Sequence, residues 1–352
     1  MNTPFLLYGS YGYTGSLIAD LAFRLGMKPV LSGRDATRLK AQADRFGFEH
    51  LPLSLDDPVS LEIALRKVPL VLNCAGPFRN TYKPMVEVCL RTGIHYLDIT
   101  GEIIVFESLV AQDEAARQTG VMLLPGIGFD VAPSDCLARH LKGRLPGATH
   151  LTLAISSLGG GLSRGTALTG IEGISKPGLV RKEGKLVEVP LFWKDLQVDF
   201  GNGPRTVVSF PWADVCTAYY STGIPNIEEY MGFKRSYIKV ARLLRPFIGL
   251  AGKPFVQRWL KQWIMNSPPG PSEEARQRGR SRLWGKVTDG QAHTAISRLE
   301  TPEGYTLTAA TALGAVRHVL QGDYKPGFQT PSMAYGADFI LEFDGVKRED
   351  II

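Results

Sequence analysis

The chain has 352 residues, 44% of them hydrophobic and 21% charged, with a net charge of +6. That length and balance suit two packed domains and exclude a disordered, collagen-like or repeat-array protein. Cys74, Cys89, Cys136 and Cys216 are far apart with no C-x-x-C pair, and the six histidines form no H-x-x-x-H pattern, so a metal site is not expected. The chain starts directly on a strand-like run, which together with the cysteine usage predicts reduced thiols and a cytoplasmic location.

Phe5–Tyr8 reads as a buried strand, and the run Gly9, Ser10, Tyr11, Gly12, Tyr13, Thr14, Gly15 follows it and opens a segment of helical apolar spacing from Ser16 to Leu25. A second strand-like run, 29–33, comes at the distance a βαβ unit requires. Glycines so placed let a pyrophosphate approach the backbone N–H groups at a helix N-terminus, where the helix dipole also favours negative charge. The pattern predicts a dinucleotide site; a glycine-rich turn without ligand is the competing account. Arg34 ends the second strand, where enzymes using NAD usually carry an acidic residue on the ribose. A guanidinium there suits a 2′-phosphate, with Ser32 as a further donor and Arg38 as a second contact, so the expected cofactor is NADP(H). The alternative leaves Arg34 in solvent and gives the ribose to Asp35.

Further short apolar runs at 50–53, 70–74, 95–98 and 121–124 alternate with helical segments, one of them begun by Asp57–Pro58 and another expected to run unbroken from Ile103 to Gln118. The fold class expected is α/β: a Rossmann-type, doubly wound parallel sheet followed by a second, mixed α+β domain. Ligands of such sheets lie outside the carboxyl ends of the strands. Asp56 or Asp57 is therefore placed near the adenine. Asn73, Cys74, Ala75, Gly76 and Pro77 are placed along the ribose and nicotinamide, with Phe78, Gly126 and the loops 100–102 and 125–130 lining the same cleft. A purely structural role as turns competes for these loops.

A domain boundary is expected at Gly147. Strands are expected at 150–156, 185–190, 206–210, 285–288, 294–300 and 305–310, with hairpins at Glu183–Gly184 and Asn202–Gly203. This makes 1–147 the nucleotide-binding domain and 148–312 the substrate or partner domain, with 313–352 packing back on the first. Between the first two of those strands, the glycine-rich stretch 159–166 offers Ser163, Arg164 and Thr166 as substrate contacts. Residues 233–286 hold thirteen Lys/Arg against only Glu273 and Glu274. No uncharged run there is long enough to cross a membrane. Such a basic amphipathic segment docks an acidic carrier protein, lies on an anionic membrane surface as a peripheral anchor, or covers its own domain. Nucleic-acid binding is not expected, since no matching motif accompanies the charge.

Taken together, Gly9–Gly15, Ser32–Arg34, Asn73–Phe78, Tyr96–Glu102, Pro125–Asp130 with Pro133–Asp135, Ser163–Thr166 and Thr330–Ser332 resemble the saccharopine dehydrogenase-like oxidoreductases, and within them the trans-acting enoyl reductase branch. The resemblance covers nearly the whole chain. It implies an NADP-binding Rossmann domain, a saccharopine reductase-like second domain and hydride chemistry between them. Saccharopine reductases proper show Asp-Pro-Gly after the sixth strand where this chain has Leu124-Pro125-Gly126, which argues against an amino-acid-derived imine and leaves C–N dehydrogenation as the alternative activity. In the enoyl reductase branch the resemblance implies reduction of a C=C bond in an acyl thioester presented by a carrier. Tyr82, with the cation of Lys83 beside it, is then the chosen proton donor, and Asp130 and Glu102 are the alternatives. Backbone N–H groups at Gly76 or Gly126 and the hydroxyls of Tyr82, Ser163 or Thr166 are the expected oxyanion donors. A non-catalytic NADP-binding protein and a lipid-surface protein are the rival readings, and a homodimer is compatible with all of them.

Overall fold

The computed structural model describes residues 3–158, 161–173, 177–233 and 253–352. Two compact units emerge, one from residues 1–132 with 305–336 and the other from 133–304 with 337–352.

The first unit is built on a seven-stranded parallel sheet. Its strands are β1 (Phe5–Tyr8), β2 (Pro29–Gly33), β3 (His50–Pro52), β4 (Leu70–Asn73), β5 (His95–Asp98), β6 (Met122–Leu124) and, near the far end of the chain, β15 (Gly327–Phe328). The spatial order is β15-β6-β5-β4-β1-β2-β3, so the winding reverses between β1 and β4. β1 and β4 are buried along their whole length, as a sheet covered on both faces requires. Helices α1 (Tyr13–Arg24), α2 (Ala36–Phe46), α3 (Pro58–Leu65), α4 (Phe78–Thr92), α5 (Ile103–Val110) and α6 (Asp113–Gln118) connect the strands.

Local chemistry explains the ends of these elements. The Asp35 carboxylate caps α2 by accepting the Arg38 N–H at 3.0 Å, and Asp57 caps α3 by accepting the Ser60 N–H at 3.0 Å, with Pro58 in the first turn. The expected helix 103–118 is two helices, because the chain turns at 111–112, and α6 turns its Asp113 onto the N–H of Phe328 at 2.7 Å to hold β15.

The second unit carries a nine-stranded mixed sheet. Its main path is β10 (Asp195–Asp199), β11 (Pro204–Ser209), β12 (Asn226–Met231), β7 (His150–Leu158), β13 (Arg280–Thr288), β14 (Thr294–Pro302) and β16 (Lys347–Asp350), with β8 (Gly178–Lys182) and β9 (Lys185–Val189) as a hairpin beside β12. Among the described residues of this sheet only β12 and β7 run parallel; the other pairs are antiparallel. The Glu183–Gly184 hairpin turn has both residues at positive φ, 48° and 77°, as a two-residue turn of this hand needs. Its helices are α7 (Ala132–Arg144), α8 (Arg164–Gly173), α9 (Asp214–Thr222), α10 (Pro254–Met265) and α11 (Glu273–Arg278).

Two expectations change here. The units divide at Ala132, not Gly147, because Leu137 and Leu141 of α7 pack over Gly285 in β13, where a Cβ would lie 2.5 Å from Leu141. The expected strand 305–310 is instead the start of α12 (Gly304–Leu320), and residues from Tyr305 on belong to the first unit. Its buried residues include the small Ala309, Ala312, Gly314 and Ala315 among Leu307, Leu313, Val316 and Val319, a pattern of helical burial. α13 (Pro331–Tyr335) closes that unit, while 337–352 joins the second through β16.

Candidate functional site

The glycine loop sits at the reversal of the sheet. Gly9 has φ 78°, and a Cβ there would lie 2.9 Å from the backbone nitrogen of Ala75, so only glycine lets the loops after β1 and β4 meet. At Gly15 a Cβ would stand 2.3 Å from the Gly9 carbonyl oxygen. Gly9 and Ser10 both donate to the Ser32 carbonyl, at 2.8 and 3.2 Å, which ties the loop to β2. α1 starts at Gly12 with no side-chain cap, leaving its first turn to be served by an outside acceptor. The dipole and the glycine cradle together fit a pyrophosphate.

Beside it the Tyr11 hydroxyl accepts the N–H of Arg34 at 3.0 Å and of Asp35 at 3.2 Å. Gly33 is obligatory under that ring, since a Cβ would lie 2.6 Å from Tyr11 Cε1. The Arg38 guanidinium stacks 4.6 Å from the Tyr11 ring centroid and donates to the Tyr11 carbonyl at 2.9 Å. Arg34 and Arg38 are both exposed, so two guanidinium groups border the loop in solvent. Their charge suits the 2′-phosphate of NADP(H). The Asp35 carboxylate, beside them, caps α2.

Other candidates have partners that the sequence could not show. The Ser32 hydroxyl is buried and donates to the Leu51 carbonyl at 2.9 Å, so it braces β2 against β3 instead of meeting a phosphate. Asn73 is fully buried; its Oδ1 accepts the Ala75 N–H at 3.0 Å and its Nδ2 donates to Thr81 at 3.1 Å and Tyr96 at 3.2 Å, shaping the 73–77 loop from inside. Cys74, Ala75, Gly76, Pro77 and Phe78 form the accessible side of that loop, with Cys74 N–H donating to the Tyr8 carbonyl at 2.8 Å. Asp56 stays exposed, bonded to Ser54 at 3.2 Å.

Glu102 holds the start of α4. One of its carboxylate oxygens accepts the Phe78 N–H at 2.6 Å and the other the Arg79 N–H at 3.4 Å. It thus caps a helix whose own cap residue, Pro77, supplies no side-chain bond. Gly126 is likewise committed, since its N–H donates to Asp98 at 3.0 Å and it packs under Phe106, so it is not an oxyanion donor.

Asp98 is the residue that sequence reasoning passed over. It is fully buried and also accepts the Tyr96 hydroxyl at 2.8 Å and the Thr100 N–H at 2.9 Å. Burial pushes its carboxyl up to about 6, against the pull of these hydrogen bonds. One carboxyl therefore joins the loops after β5 and β6. Its only sequence signal is an acidic residue ending an apolar strand. The 125–130 loop is further fixed by α12, where Thr308 accepts the Phe129 N–H at 2.9 Å and Thr311 donates to the Ile127 carbonyl at 2.6 Å.

Asp130 lies against Gly101, where a Cβ would stand 2.9 Å from its Oδ2, and burial raises its carboxyl to about 6. Tyr82 lies part-buried on α4, one turn beyond Phe78. In the second unit Ser163 caps α8 by accepting the Thr166 N–H at 3.2 Å and bonding the Thr166 hydroxyl at 3.1 Å. Arg164 there donates to the Ser267 carbonyl at 2.6 Å. Arg164 thus braces the segment 267–269, while Ser163 and Thr166 bond each other at the start of α8. Lys239 and Arg242 of the basic segment, and the glycines at 159–160, lie outside the described residues.

Residues 5–124 match the family model described as the saccharopine dehydrogenase NADP binding domain. A trans-acting enoyl reductase of Mycobacterium ulcerans is 33% identical over 147 residues, 40% of this chain and 35% of that protein. A rat saccharopine dehydrogenase-like oxidoreductase is 29% identical over 206 residues, 51% of this chain and 48% of that protein. The chain thus spans only a third to a half of the length of these relatives. Over its whole length it superimposes on yeast saccharopine dehydrogenase (L-Glu forming) with a TM-score of 0.73 at 13% identity, a likeness of fold. The chain therefore shares its fold with yeast saccharopine dehydrogenase, and its residues 5–124 match the saccharopine dehydrogenase NADP-binding domain.

Proposed function

We propose that the protein is an NADPH-dependent oxidoreductase that reduces the C=C bond of an enoyl thioester presented by a separate carrier. The observation that carries the cofactor is the pair Arg34 and Arg38 beside the uncapped start of α1, with the Arg34 backbone held by Tyr11. The relatives named trans-acting enoyl reductase support the reaction class. Bound NADPH supplies a hydride. Gly9, Gly12 and Gly15 admit its pyrophosphate, Arg34 and Arg38 hold the 2′-phosphate, and the 74–77 loop borders the nicotinamide.

Hydride addition at the β-carbon places negative charge on the thioester oxygen, and a proton must then reach the α-carbon. With Glu102 engaged at α4, Tyr82 and Asp130 are the candidate donors, and Tyr82 is preferred because it lies part-buried on the helix that follows the 74–77 loop.

Fluorescence titration with NADPH and NADH, for the wild type and Arg34→Glu, tests the cofactor. The expected result is a preference for NADPH that falls about 10- to 100-fold in the variant, the worth of one charged hydrogen-bonding contact. Enoyl thioesters, free and carrier-bound, then test the reaction, with Tyr82→Phe expected to lower kcat about 100-fold while leaving NADPH affinity unchanged. Binding of neither nucleotide would overturn the proposal.

A further inference from the structure

Residues 230–272 contain eight Lys/Arg and no acidic residue. Within that stretch α10 is strongly two-faced. Ile264 is buried at 4% exposure, and Val256 and Leu260 on the same side are half-buried. That side packs against α8, and the Gln257 side-chain amide donates to the Ile171 carbonyl at 3.0 Å. Arg164 pins the chain just past the helix through the Ser267 and Pro269 carbonyls, at 2.6 and 3.0 Å. α10 is thereby held as a fixed element of the second unit.

The adjoining stripe, about 100° round the helix, exposes Phe255, Trp259 and Trp263 at 73%, 66% and 65%. Their spacing of four residues lines them along one stripe roughly 12 Å long. Three large aromatics in a row at that exposure are unusual for a face that meets only water. The exposed Arg258 adjoins Trp259 in the chain, and the exposed Lys253 precedes the helix. Tryptophan rings with cations beside them suit the boundary between lipid headgroups and acyl chains, where the ring is buried and the charge meets phosphate.

We propose that this face of α10 docks the protein on an anionic lipid bilayer surface, with the helix axis in the plane of the interface. The two exposed tryptophans decide for lipid over an acidic protein, since indole rings settle at the headgroup boundary, and the neighbouring Lys253 and Arg258 select an anionic lipid. The docking site is independent of the nucleotide site, so its failure would leave the proposed function standing.

The test is flotation of the full chain with vesicles of phosphatidylcholine alone or mixed with phosphatidylserine, with NADPH affinity measured alongside as a control on folding. The wild type should float only with the mixed vesicles, and less so in high salt. Trp259→Ser with Trp263→Ser should weaken binding at least 10-fold, as should Lys253→Glu with Arg258→Glu, both with unchanged NADPH affinity. Trp fluorescence should shift to the blue on binding in the wild type and fail to do so in the double-serine variant. Failure of the wild type to float, or equal binding by the double-serine variant, would overturn the proposal. Retention on an immobilised acidic carrier protein without vesicle binding would overturn it in favour of a protein partner.

Discussion

Replacing Glu102 separates two roles that the sequence left open. Its carboxylate reaches the start of α4 from another loop, 2.6 Å from the Phe78 N–H, and α4 has no side-chain cap of its own. A charged hydrogen bond of this kind is worth about 1.5–3 kcal/mol, and the second contact, at 3.4 Å, adds little. Glu102→Ala should therefore cost about 2 kcal/mol, or roughly 4–8 °C in melting temperature for a unit of this size. Glu102→Gln keeps a carbonyl for the Phe78 N–H and loses the charge, so about half that cost is expected. Thermal melts should be run beside NADPH titration and turnover of both variants. As a cap, Glu102 predicts a graded loss, Ala worse than Gln, with turnover in the Gln variant within a few-fold of wild type. As a proton donor it would show the reverse: a melting temperature unchanged by Gln and a 100-fold or greater fall in kcat. That second pattern would refute the assignment.

Gly9→Ala and Gly26→Ala both place a side chain at positive φ, 78° and 67°, but only Gly9 has a backbone in the way, with Ala75 N at 2.9 Å. Denaturant unfolding should show about 1 kcal/mol lost at Gly26 and about 3 kcal/mol or more at Gly9, with NADPH binding lost only in the latter. Asp98→Ala strands three buried donors and should destabilise by about 3–5 kcal/mol, measured by urea unfolding.

In the second unit Asp214 is fully buried, accepts the Thr217 hydroxyl at 3.4 Å, and lies near Ser134, Asp135 and Glu229. Burial holds its carboxyl well above the usual carboxylate range. The folded state then keeps a proton that the unfolded chain releases, so this group makes stability fall as pH rises from about 4 into the neutral range. Asp214→Asn should flatten the decline by up to about 1.4 kcal/mol per pH unit, read as the difference between wild-type and variant melting curves. Equal pH dependence of the two would show that Asp214 does not hold the proton.

The strands of the first sheet and the glycine loop were legible in sequence because their signals are local. An apolar run such as Leu70–Asn73 marks its own burial, and a glycine triplet marks a close approach wherever it is placed. Asp57–Pro58 and Glu183–Gly184 announced a cap and a turn for the same reason. Tertiary structure decided what lies far apart in the chain. Tyr305–Ala310 alternates like a strand, yet it joins the long helix α12, whose small residues are buried within the first unit. β8, β10 and β12 were missed because their polar residues, such as Glu228 and Gln197, find partners only once the sheet has formed. Most of the site belongs to this second class. Gly126 gives its N–H to a residue 28 positions earlier, Glu102 caps a helix that starts 24 positions before it, and Phe129 is held by Thr308 from 179 positions away. Residue type proposes a donor or an acid; only the folded chain shows whether its hydrogen-bonding capacity is already used.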